Sequence, residues 1–392
     1  MNMQRLIIVI LLFIVPLQGM GLDLISPSMP TIVEKLHTSM DIVELTLPLY
    51  LIGFALAQPI MGTFSDVFGR KAFLVPGMFL YVLISLACSF ALNIETLLIL
   101  RFFQGMSVAA SAVISRAIIM DMFKGEQFKK MMGYVPVVWA LGPIVAPTIG
   151  GYLNTFFGWQ SSFYFFAIYG SVLFLLILLF IPETHHERSK FSLKKMASNY
   201  LSLMKNRGFL AAILCLLLIY SVIILFNLVG PFFIQDVLGY SCVTYGNLAL
   251  LMGVAFFFGN LMNRILARYK TPMFWMECAL IGMCVFVVGM VGSAWLHPKN
   301  LYVLMVPTTG ILVFAGVFYP HGLAGCLGLF KKNKGTVSAV FGLLCTGGSA
   351  LVSTLGTLLK VETILPLSIA FFCFILTMTL AYYGCFRRSL LK

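Results

Sequence analysis

The chain has 392 residues, of which 60% are hydrophobic and only 10% are charged, and its mean hydropathy is +1.01. A water-soluble protein of this size has too little interior for so much apolar surface, so the composition excludes a soluble globular domain. A net charge of +13 also occurs in nucleic-acid binders, but here the basic residues lie in short loops where membrane topology accounts for them.

Apolar runs of about 18 residues or more are long enough to cross the hydrocarbon core of a bilayer as helices. Such runs predict an all-α integral membrane protein with twelve transmembrane helices in two six-helix halves. The predicted spans are 5–27, 41–63, 72–92, 96–118, 132–154, 163–182, 209–232, 244–263, 272–296, 300–320, 336–358 and 364–386. The first thirty residues have a signal-peptide pattern without a small-residue cleavage site, so we expect a retained first span.

The longest polar stretch divides the chain into halves. The predicted parts are an N-terminal half over 1–182, a cytoplasmic linker over 183–208 and a C-terminal half over 209–392. A weak repeat supports the division, because Gly62 and Asp66 end the second span as Gly259 and Asn263 end the eighth. Internal duplication of this kind is typical of secondary transporters whose halves move about a central site.

The basic residues predict the orientation of the chain. Most of the 26 Lys and Arg residues lie at the N-terminus, in every second loop or in the C-terminal tail. Lys35, Lys299 and Lys360 fall in the opposite loops, while Arg101 and Arg116 lie within the fourth span. By the positive-inside rule we expect both termini in the cytoplasm, with the chain crossing the lipid of a bacterial cytoplasmic membrane.

Three motifs occur in order in the first half: Gly-Thr-Phe-Ser-Asp-Val-Phe-Gly-Arg-Lys at 62–71, Arg-Phe-Phe-Gln-Gly at 101–105, and Leu-Gly-Pro to Gly-Gly over 141–151. They resemble the loop after the second helix, the fourth-helix motif and the fifth-helix antiporter motif of the major facilitator superfamily. Runs at 23–30, 115–121 and 158–160 are similar to the Bcr/CflA group of bicyclomycin and chloramphenicol exporters. The resemblance implies a monomeric proton antiporter that exports drugs or lipophilic compounds by alternating access.

Other functions stay open at this point. The residues that follow Asp23 are smaller and more polar than is usual in that group, which leaves an exporter of a specific metabolite or siderophore as an alternative. An importer running proton symport would use the same acid. The chain shows no clustered carboxylates, His or Cys at one membrane face, no phosphate-binding loop and no metal-ligand spacing. We therefore expect no enzyme activity, cofactor, metal or nucleic-acid partner.

Asp23 and Arg101 are the predicted proton-coupling residues. A charge inside the bilayer costs ~2.5 kcal/mol or more, so an ionisable residue within a span is a functional candidate by default. Asp23 lies near the outer third of the first span and Arg101 about two turns into the fourth, at similar depth. We expect Asp23 to carry the proton and Arg101 to tune it. In the structural alternative, Asp23 caps a helix end and Arg101 bonds backbone carbonyls.

Two further sets are predicted to control movement. The expected gate lies at the cytoplasmic ends of the second and fourth spans and comprises Gly62, Asp66, Gly69, Arg70, Arg116 and Asp121. Asp66 is expected to accept hydrogen bonds from the start of the eleventh helix, where the helix dipole favours an anion. The antiporter motif is expected to form a tight interface between the halves that blocks proton leak, through Gly142, Pro143, Pro147, Gly150 and Gly151. Interfacial anchoring and ordinary helix packing are the respective alternatives.

The predicted substrate contacts are aromatic or polar residues that share a helix face. The second span offers Tyr50, Phe54 and Gln58 at a spacing of four residues. Trp139 on the fifth span, and Tyr220 with Asn227 on the seventh, are similar in kind. We expect these residues to contact a small organic molecule.

Overall fold

The computed structural model describes residues 3–123, 125–184, 201, 203–266, 268–330, 334–359 and 362–391. Over these residues the chain is helical, without a β-strand. It divides into two compact units, Met1–Leu193 and Lys194–Lys392. Most of the predicted linker, 183–208, lies outside the described residues.

The helix bounds follow the hydrophobic runs, with longer helices at several spans. The helices of the N-terminal unit are α1 Met3–Ile14, α2 Leu17–Asp23, α3 Met29–Lys35, α4 Met40–Glu44, α5 Thr46–Phe68, α6 Arg70–Ser89, α7 Ile94–Met122, α8 Gly125–Phe157 and α9 Gln160–Phe180. Those of the C-terminal unit are α10 Arg207–Phe232, α11 Cys242–Leu266, α12 Pro272–Leu296, α13 Leu301–Gly328, α14 Lys334–Gly356, α15 Ile364–Ala381 and α16 Arg387–Leu390. Short π-helical turns follow α10 and α15.

Eleven stretches of the described chain are long and apolar enough to cross a membrane. They match eleven of the twelve predicted spans. The fifth predicted span, 132–154, lies inside the 33-residue helix α8, which is not among the eleven. The helical architecture therefore agrees with a fold of about twelve membrane helices.

The first span is longer than its hydrophobic run and is broken at two prolines. The apolar stretch extends over Leu6–Lys35 rather than ending near residue 27. α1 ends just before Pro16, and a 3₁₀ turn at Ser26–Ser28 that contains Pro27 separates α2 from α3. Because proline has no N–H to donate, regular helix hydrogen bonding is interrupted at such positions. The second break leaves Asp23 at the end of a helix inside the span.

The two units share one pattern of helix pairing. In the N-terminal unit α5 packs on α7, α6 packs on α7 and α9, and α2 packs on α8. In the C-terminal unit α11 packs on α13, α12 packs on α13 and α15, and α10 packs on α14. The span order is the same in both units: second with fourth, third with fourth and sixth, and first with fifth.

Glycines allow the closest of these contacts. A Cβ built on Gly105 of α7 would lie 2.0 Å from the Tyr50 carbonyl oxygen of α5. In the other unit, a Cβ on Gly316 of α13 would lie 2.1 Å from the Phe256 carbonyl oxygen of α11. Only glycine permits backbones to approach this closely, as at small-residue interfaces in membranes. Because α5 and α7 lie this close, side chains from the two helices can contact each other.

Candidate functional site

A fully buried arginine lies at the centre of the polar groups in the N-terminal unit. Arg101 is about two turns into α7, whose start is capped by Asn93 accepting from the Thr96 N–H at 2.9 Å. Nη2 of Arg101 donates to the Gly21 carbonyl at 2.7 Å, and Nη1 donates to Gln104 Oε1 at 2.5 Å. Because Gly21 belongs to α2, the arginine joins α7 to the broken first span.

Tyr50 of α5 covers the guanidinium group. The Arg101 Cζ lies 4.4 Å from the centre of the Tyr50 ring, which is cation–π geometry. The Tyr50 hydroxyl donates to the Gln18 carbonyl at 3.3 Å. Glycine is required beside it, since a Cβ on Gly21 would lie 2.3 Å from the Tyr50 hydroxyl oxygen. Tyr50 is 0% exposed, so in this conformation its ring contacts protein.

Asp23 lies next to this cluster. It is the last residue of α2, two positions after Gly21, and is 3% exposed. Gly21, two residues before Asp23, lies against the Tyr50 hydroxyl, and its carbonyl accepts from Arg101. The structure therefore brings both predicted proton-coupling residues to one tyrosine. A buried carboxyl feels two opposing effects, desolvation that favours its neutral form and a nearby cation that favours its charged form.

Gln104 extends the cluster to α6 and is a residue that the sequence analysis did not single out. It is fully buried, and its Nε2 donates to the Ser85 hydroxyl at 2.8 Å while its oxygen accepts from Arg101. A signal was present in the sequence, because Gln104 follows Arg101 by three residues and shares its helix face. Its partner on α6 could not be identified in that way.

A second charged cluster lies where α5 ends and α6 begins. Arg70, which is 7% exposed, makes an ion pair with Asp66 and a second with Asp121 of α7, whose Oδ2 lies 3.0 Å from Nε. Its Nη1 also donates to the Ser65 hydroxyl at 2.9 Å. Asp66, Arg70 and Asp121 of the predicted gate are therefore brought together, joining α5, α6 and α7.

Glu183 completes this second cluster and was also missed by the sequence analysis. Its two carboxylate oxygens accept from the backbone N–H groups of Arg70 at 2.8 Å and Lys71 at 3.1 Å, at the N-terminus of α6. Gly69 has φ +114°, and a Cβ there would lie 2.5 Å from Glu183 Oε2. The glycine is thus required for both backbone conformation and space. Thr184 donates to Asp121 Oδ2 at 3.3 Å.

The other two residues of the predicted gate have different surroundings. Arg116 donates from Nη2 to Gln18 Oε1 of α2 at 3.3 Å, which links it to the helix that carries Asp23. A Cβ on Gly62 would lie 3.3 Å from Val113 Cγ1 of α7. Gly62 therefore contributes to the same α5–α7 contact as Gly105.

The glycines of the fifth-span motif pack against the first span. A Cβ on Gly142 would lie 2.9 Å from the Pro16 carbonyl oxygen, and one on Gly150 would lie 2.0 Å from that of Leu24. Pro147 and Gly151 are buried and Pro143 is half-buried. The contacts of Gly142 and Gly150 are within the N-terminal unit, where they hold α8 close to the segment that contains Asp23. Their predicted function as a seal stays a prediction.

The predicted substrate contacts are only partly gathered by the fold. Phe54 is half-buried, with its ring centre 6.5 Å from that of Tyr50, and Gln58 is 8% exposed on the same helix. Trp139 lies on α8, and its side chain is outside the described residues. Tyr50 is engaged by Arg101. α5 therefore presents a polar and aromatic face, and its contact with a substrate stays a prediction.

The C-terminal unit contains a smaller and uncharged polar group. Asn227 of α10 is 4% exposed and accepts from the Tyr245 hydroxyl of α11 at 3.1 Å. The Tyr245 ring stacks on Phe226 with centres 5.8 Å apart. Tyr220, one of the predicted contacts, is half-buried on α10. Asn263, the counterpart of Asp66, donates to the carbonyls of Gly316 and Val317.

These clusters are suited to binding protons and ion pairing. Asp23 supplies a buried acid, and Arg101 supplies a fixed cation held by backbone and amide oxygens. Within the described ranges no three His, Cys, Asp or Glu residues come together as metal ligands. The N-terminal unit therefore holds a buried carboxyl on α2 and a buried guanidinium on α7, two helices that the hydrogen bond from Arg101 to the Gly21 carbonyl joins.

Sequence comparisons place these features in a known context. The model of the Major Facilitator Superfamily matches residues 11–354. The chain is 28% identical to the bicyclomycin resistance protein homolog of Haemophilus influenzae over 378 residues, covering 94% of this chain and 93% of the relative. It is 28% identical to the multidrug transporter MdfA of Shigella boydii, covering 83% of this chain and 79% of the relative. It is 25% identical to the multidrug resistance protein D of Escherichia coli, covering 91% of this chain and 89% of the relative.

Structural comparisons agree on the fold. A D-xylose-proton symporter matches with a TM-score of 0.75 at 15% identity, covering 98% of each chain. A bacterial homolog of the human lysosomal transporter Spinster matches with a TM-score of 0.77 at 14% identity, covering 100% of this chain and 98% of the other. At these identities the likeness shows the fold alone. It confirms the fold class predicted from hydropathy.

Proposed function

Because the chain belongs to the Major Facilitator Superfamily, we propose that it is a proton-coupled transporter that exports small organic molecules, drugs or lipophilic compounds, by alternating access. It is a multi-pass membrane protein with a transporter fold. The observation that carries the proposal is the position of Asp23 and Arg101 beside Tyr50. Relatives named as drug-resistance proteins support the export of drugs.

Asp23 is the proposed proton carrier, and Arg101 is the group that adjusts its affinity for protons. Arg101 is fixed by Gly21 and Gln104, so its charge stays in place while Asp23 gains or loses a proton. Protonation removes the carboxylate charge beside the guanidinium and changes which conformation is favoured. A proton and a substrate then compete for the transporter, which couples their movements in opposite directions.

The remaining site residues have supporting functions in this proposal. The Arg70 cluster, with Asp66, Asp121 and Gly69, acts as a gate that forms and breaks during the cycle, and Arg116 and Gly62 accompany it. The fifth-span glycines and prolines seal the first span against proton leak. The proposed substrate contacts are Tyr50, Phe54, Gln58, Trp139, Tyr220 and Asn227.

The proposed location is the bacterial cytoplasmic membrane, with both termini in the cytoplasm. The alternating distribution of Lys and Arg supports this orientation. The proposed partners are the substrate, protons and lipid, and the transporter acts as a monomer without nucleic acid. Export of one specific metabolite or siderophore is the second candidate function, favoured by the small polar run Ser26-Pro27-Ser28 after Asp23. Proton-symport import is the third.

The test is proton flux in proteoliposomes that enclose a pH-sensitive dye. Tetraphenylphosphonium, ethidium, chloramphenicol, bicyclomycin and a catecholate chelator are added singly, with protein-free liposomes as the control. Antiport predicts that a drug or lipophilic compound moves protons opposite to itself. Response to the chelator alone would favour the metabolite exporter, and movement of protons in the same direction as the compound would favour the importer. Absence of any proton movement would contradict proton coupling.

A further inference from the structure

One buried acid takes no part in the clusters described above. Glu44 is the last residue of α4, at the start of the membrane stretch Met40–Phe68, and is 0% exposed. Neither of its carboxylate oxygens has a hydrogen-bond partner among the residues that the structure describes. Buried carboxylates in folded proteins are almost always paired or hydrogen-bonded, so the isolation of Glu44 requires a physical explanation.

Among the described residues, no cation forms an ion pair with Glu44. α3 and α5 pack against α4. The charged and titratable groups nearest in sequence are Glu34 and Lys35 of α3, His37 between α3 and α4, Asp41 of α4 and Tyr50 of α5. Lys35 and His37 are exposed, and Asp41, three residues before Glu44, has a charge of the same sign. The adjacent hydroxyl, that of Thr46, donates to the Val43 carbonyl at 2.7 Å.

A carboxyl in such a place is neutral. An unpaired carboxylate removed from water is so costly that the group binds a proton instead. A like charge nearby acts in the same direction, since it also disfavours the ionised form. The isolated geometry of Glu44 therefore corresponds to a protonated side chain in this conformation.

Glu44 is separate from the proposed proton carrier. It precedes Tyr50 by six residues, which corresponds to roughly 9 Å along a helix at a rise of 1.5 Å per residue. Arg101 lies against the Tyr50 ring and Asp23 lies next to this cluster, so Glu44 lies beyond it toward the start of the second span. The opposite end of α5 carries the Arg70 cluster. Glu44 is thus an additional protonatable site in the same unit.

We propose that Glu44 is a second proton-binding carboxyl of the transport cycle, so that a proton is exchanged at Glu44 as well as at Asp23. The proposal rests on the proposed antiport function. Glu44 holds its proton while it is enclosed between α3 and α5 and releases it when the start of the second span becomes open to water. Two exchanging carboxyls would move two protons for each substrate.

The first test needs no substrate. Dicyclohexylcarbodiimide, an apolar reagent that reacts with protonated carboxyl groups, is added to the wild-type transporter in membranes over a range of pH, and labelled peptides are found by mass spectrometry. We expect label on Glu44 that declines as the pH rises, and none on the exposed Asp41. Absence of label on Glu44 at every pH would overturn the proposal.

The second test counts protons. Proton release on ethidium addition is measured with a pH indicator for the purified wild type, for Glu44→Gln, which mimics the protonated side chain, and for Glu95→Gln, a change at an exposed acid at the start of α7, as the control. With one of two sites removed, Glu44→Gln should release about half the protons per bound ethidium, because the protons released equal the change in occupancy of the titrating sites. Glu95→Gln should match the wild type, and Glu44→Asp, which keeps a carboxyl, should retain release.

The outcomes separate the two proposals. If Glu44→Gln releases as many protons as the wild type, the proposal of a second proton site at Glu44 is overturned, while the antiport proposal stands. If the wild type releases no protons when ethidium is added, ethidium is not exchanged for protons. That result would contradict both the antiport proposal for ethidium and the proposed proton exchange at Glu44. Loss of release in Glu44→Asp as well as in Glu44→Gln, with normal thermal unfolding, would contradict the second site, because the carboxyl that remains in Glu44→Asp should still exchange a proton.

Discussion

The two units pair their helices in the same order but bury different groups. Among the described residues the buried charged side chains are Asp23, Glu44, Arg70 and Arg101, and all four lie in the N-terminal unit. The C-terminal unit buries neutral polar side chains instead, such as Asn227, Asn263 and Thr308. Since the helix framework is common to both, the difference shows that the framework does not require buried charge. The charges of the N-terminal unit are therefore the part to which function is assigned.

One pair of corresponding positions makes this difference concrete. Asp66 ends the second span and pairs with Arg70, which in turn reaches Asp121. Asn263 ends the eighth span and bonds to the carbonyls of Gly316 and Val317. The same position thus joins helices through ion pairs in one unit and through an amide in the other. Ion pairs respond to solvent and protonation, whereas an amide bonded to backbone carbonyls is a fixed link.

Arg101→Met is expected to have the largest effect. Removing the guanidinium leaves the Gly21 carbonyl and the Gln104 oxygen without a donor, at roughly 1–3 kcal/mol for each buried acceptor, and exposes Tyr50. Proton-driven transport should be lost and thermal unfolding of the purified protein should shift to lower temperature. Thr308→Val is the comparison in the other unit, where we expect transport to be retained, because Thr308 is a buried neutral residue with no proposed contact to substrate. Normal transport by Arg101→Met would contradict the assignment of function to the N-terminal charges.

Arg70→Gln is expected to have the next largest effect. The substitution removes two ion pairs at the α5–α6 junction but leaves the backbone N–H groups bonded to Glu183, so we expect folding to be retained at a cost of about 1–2 kcal/mol. Initial transport rates should fall severalfold, because the proposed gate loses its ion pairs. Asn263→Ala is the matched change in the C-terminal unit. Equal loss of transport in the two variants would contradict the distinction between the two helix ends.

Gly105→Ala and Gly316→Ala are expected to have similar effects in the two units. Each added methyl group would meet a carbonyl oxygen of the facing helix at about the same distance, 2.0 Å and 2.1 Å. Both should lower stability by about 1–3 kcal/mol through overpacking. Gly292→Ala, with no atom within 4 Å of its Cβ, is the control and should cost nothing measurable in thermal unfolding. A loss for one glycine alone would show that the frameworks are not equivalent.

Tyr245→Phe is expected to have the smallest effect. It removes one hydrogen bond to Asn227 and keeps the ring stacked on Phe226, so the loss of stability should be about 1 kcal/mol. Thermal unfolding measures this change, and transport assays should find wild-type rates. A large loss of transport would contradict this expectation and show that Asn227, a proposed substrate contact, depends on the hydrogen bond from Tyr245.

Hydropathy and motifs were sufficient for much of the fold. Apolar runs predicted eleven of the membrane stretches directly, and the motifs at 62–71 and 101–105 identified the family that the comparisons confirm. Helix ends were less predictable. The first span runs on to Lys35 through two proline breaks. Polar residues lowered the local hydropathy there, although they do not end the membrane-crossing stretch.

The site was predictable only in part. Asp23 and Arg101 could be selected because charges are scarce in apolar spans, and Arg70 because it belongs to the motif at 62–71. Ser85 and Glu183 could not, since each meets its partner through helix packing between residues far apart in sequence. Glu44 stands at a polar span boundary in the sequence, where an acid would normally contact water. Its burial follows from the packing of α3 and α5, which no local pattern records.

The most direct test of the central claim compares Asp23→Asn with Glu95→Gln, an exposed acid at the start of α7. Both are reconstituted in proteoliposomes, and proton flux driven by a transported compound is measured together with exchange of the labelled compound across the membrane. If Asp23 carries a proton, Asp23→Asn should lose about half of the coupled proton flux or more while keeping exchange of the labelled compound, and Glu95→Gln should match the wild type. Coupled proton flux that survives in Asp23→Asn at the wild-type rate would contradict the account.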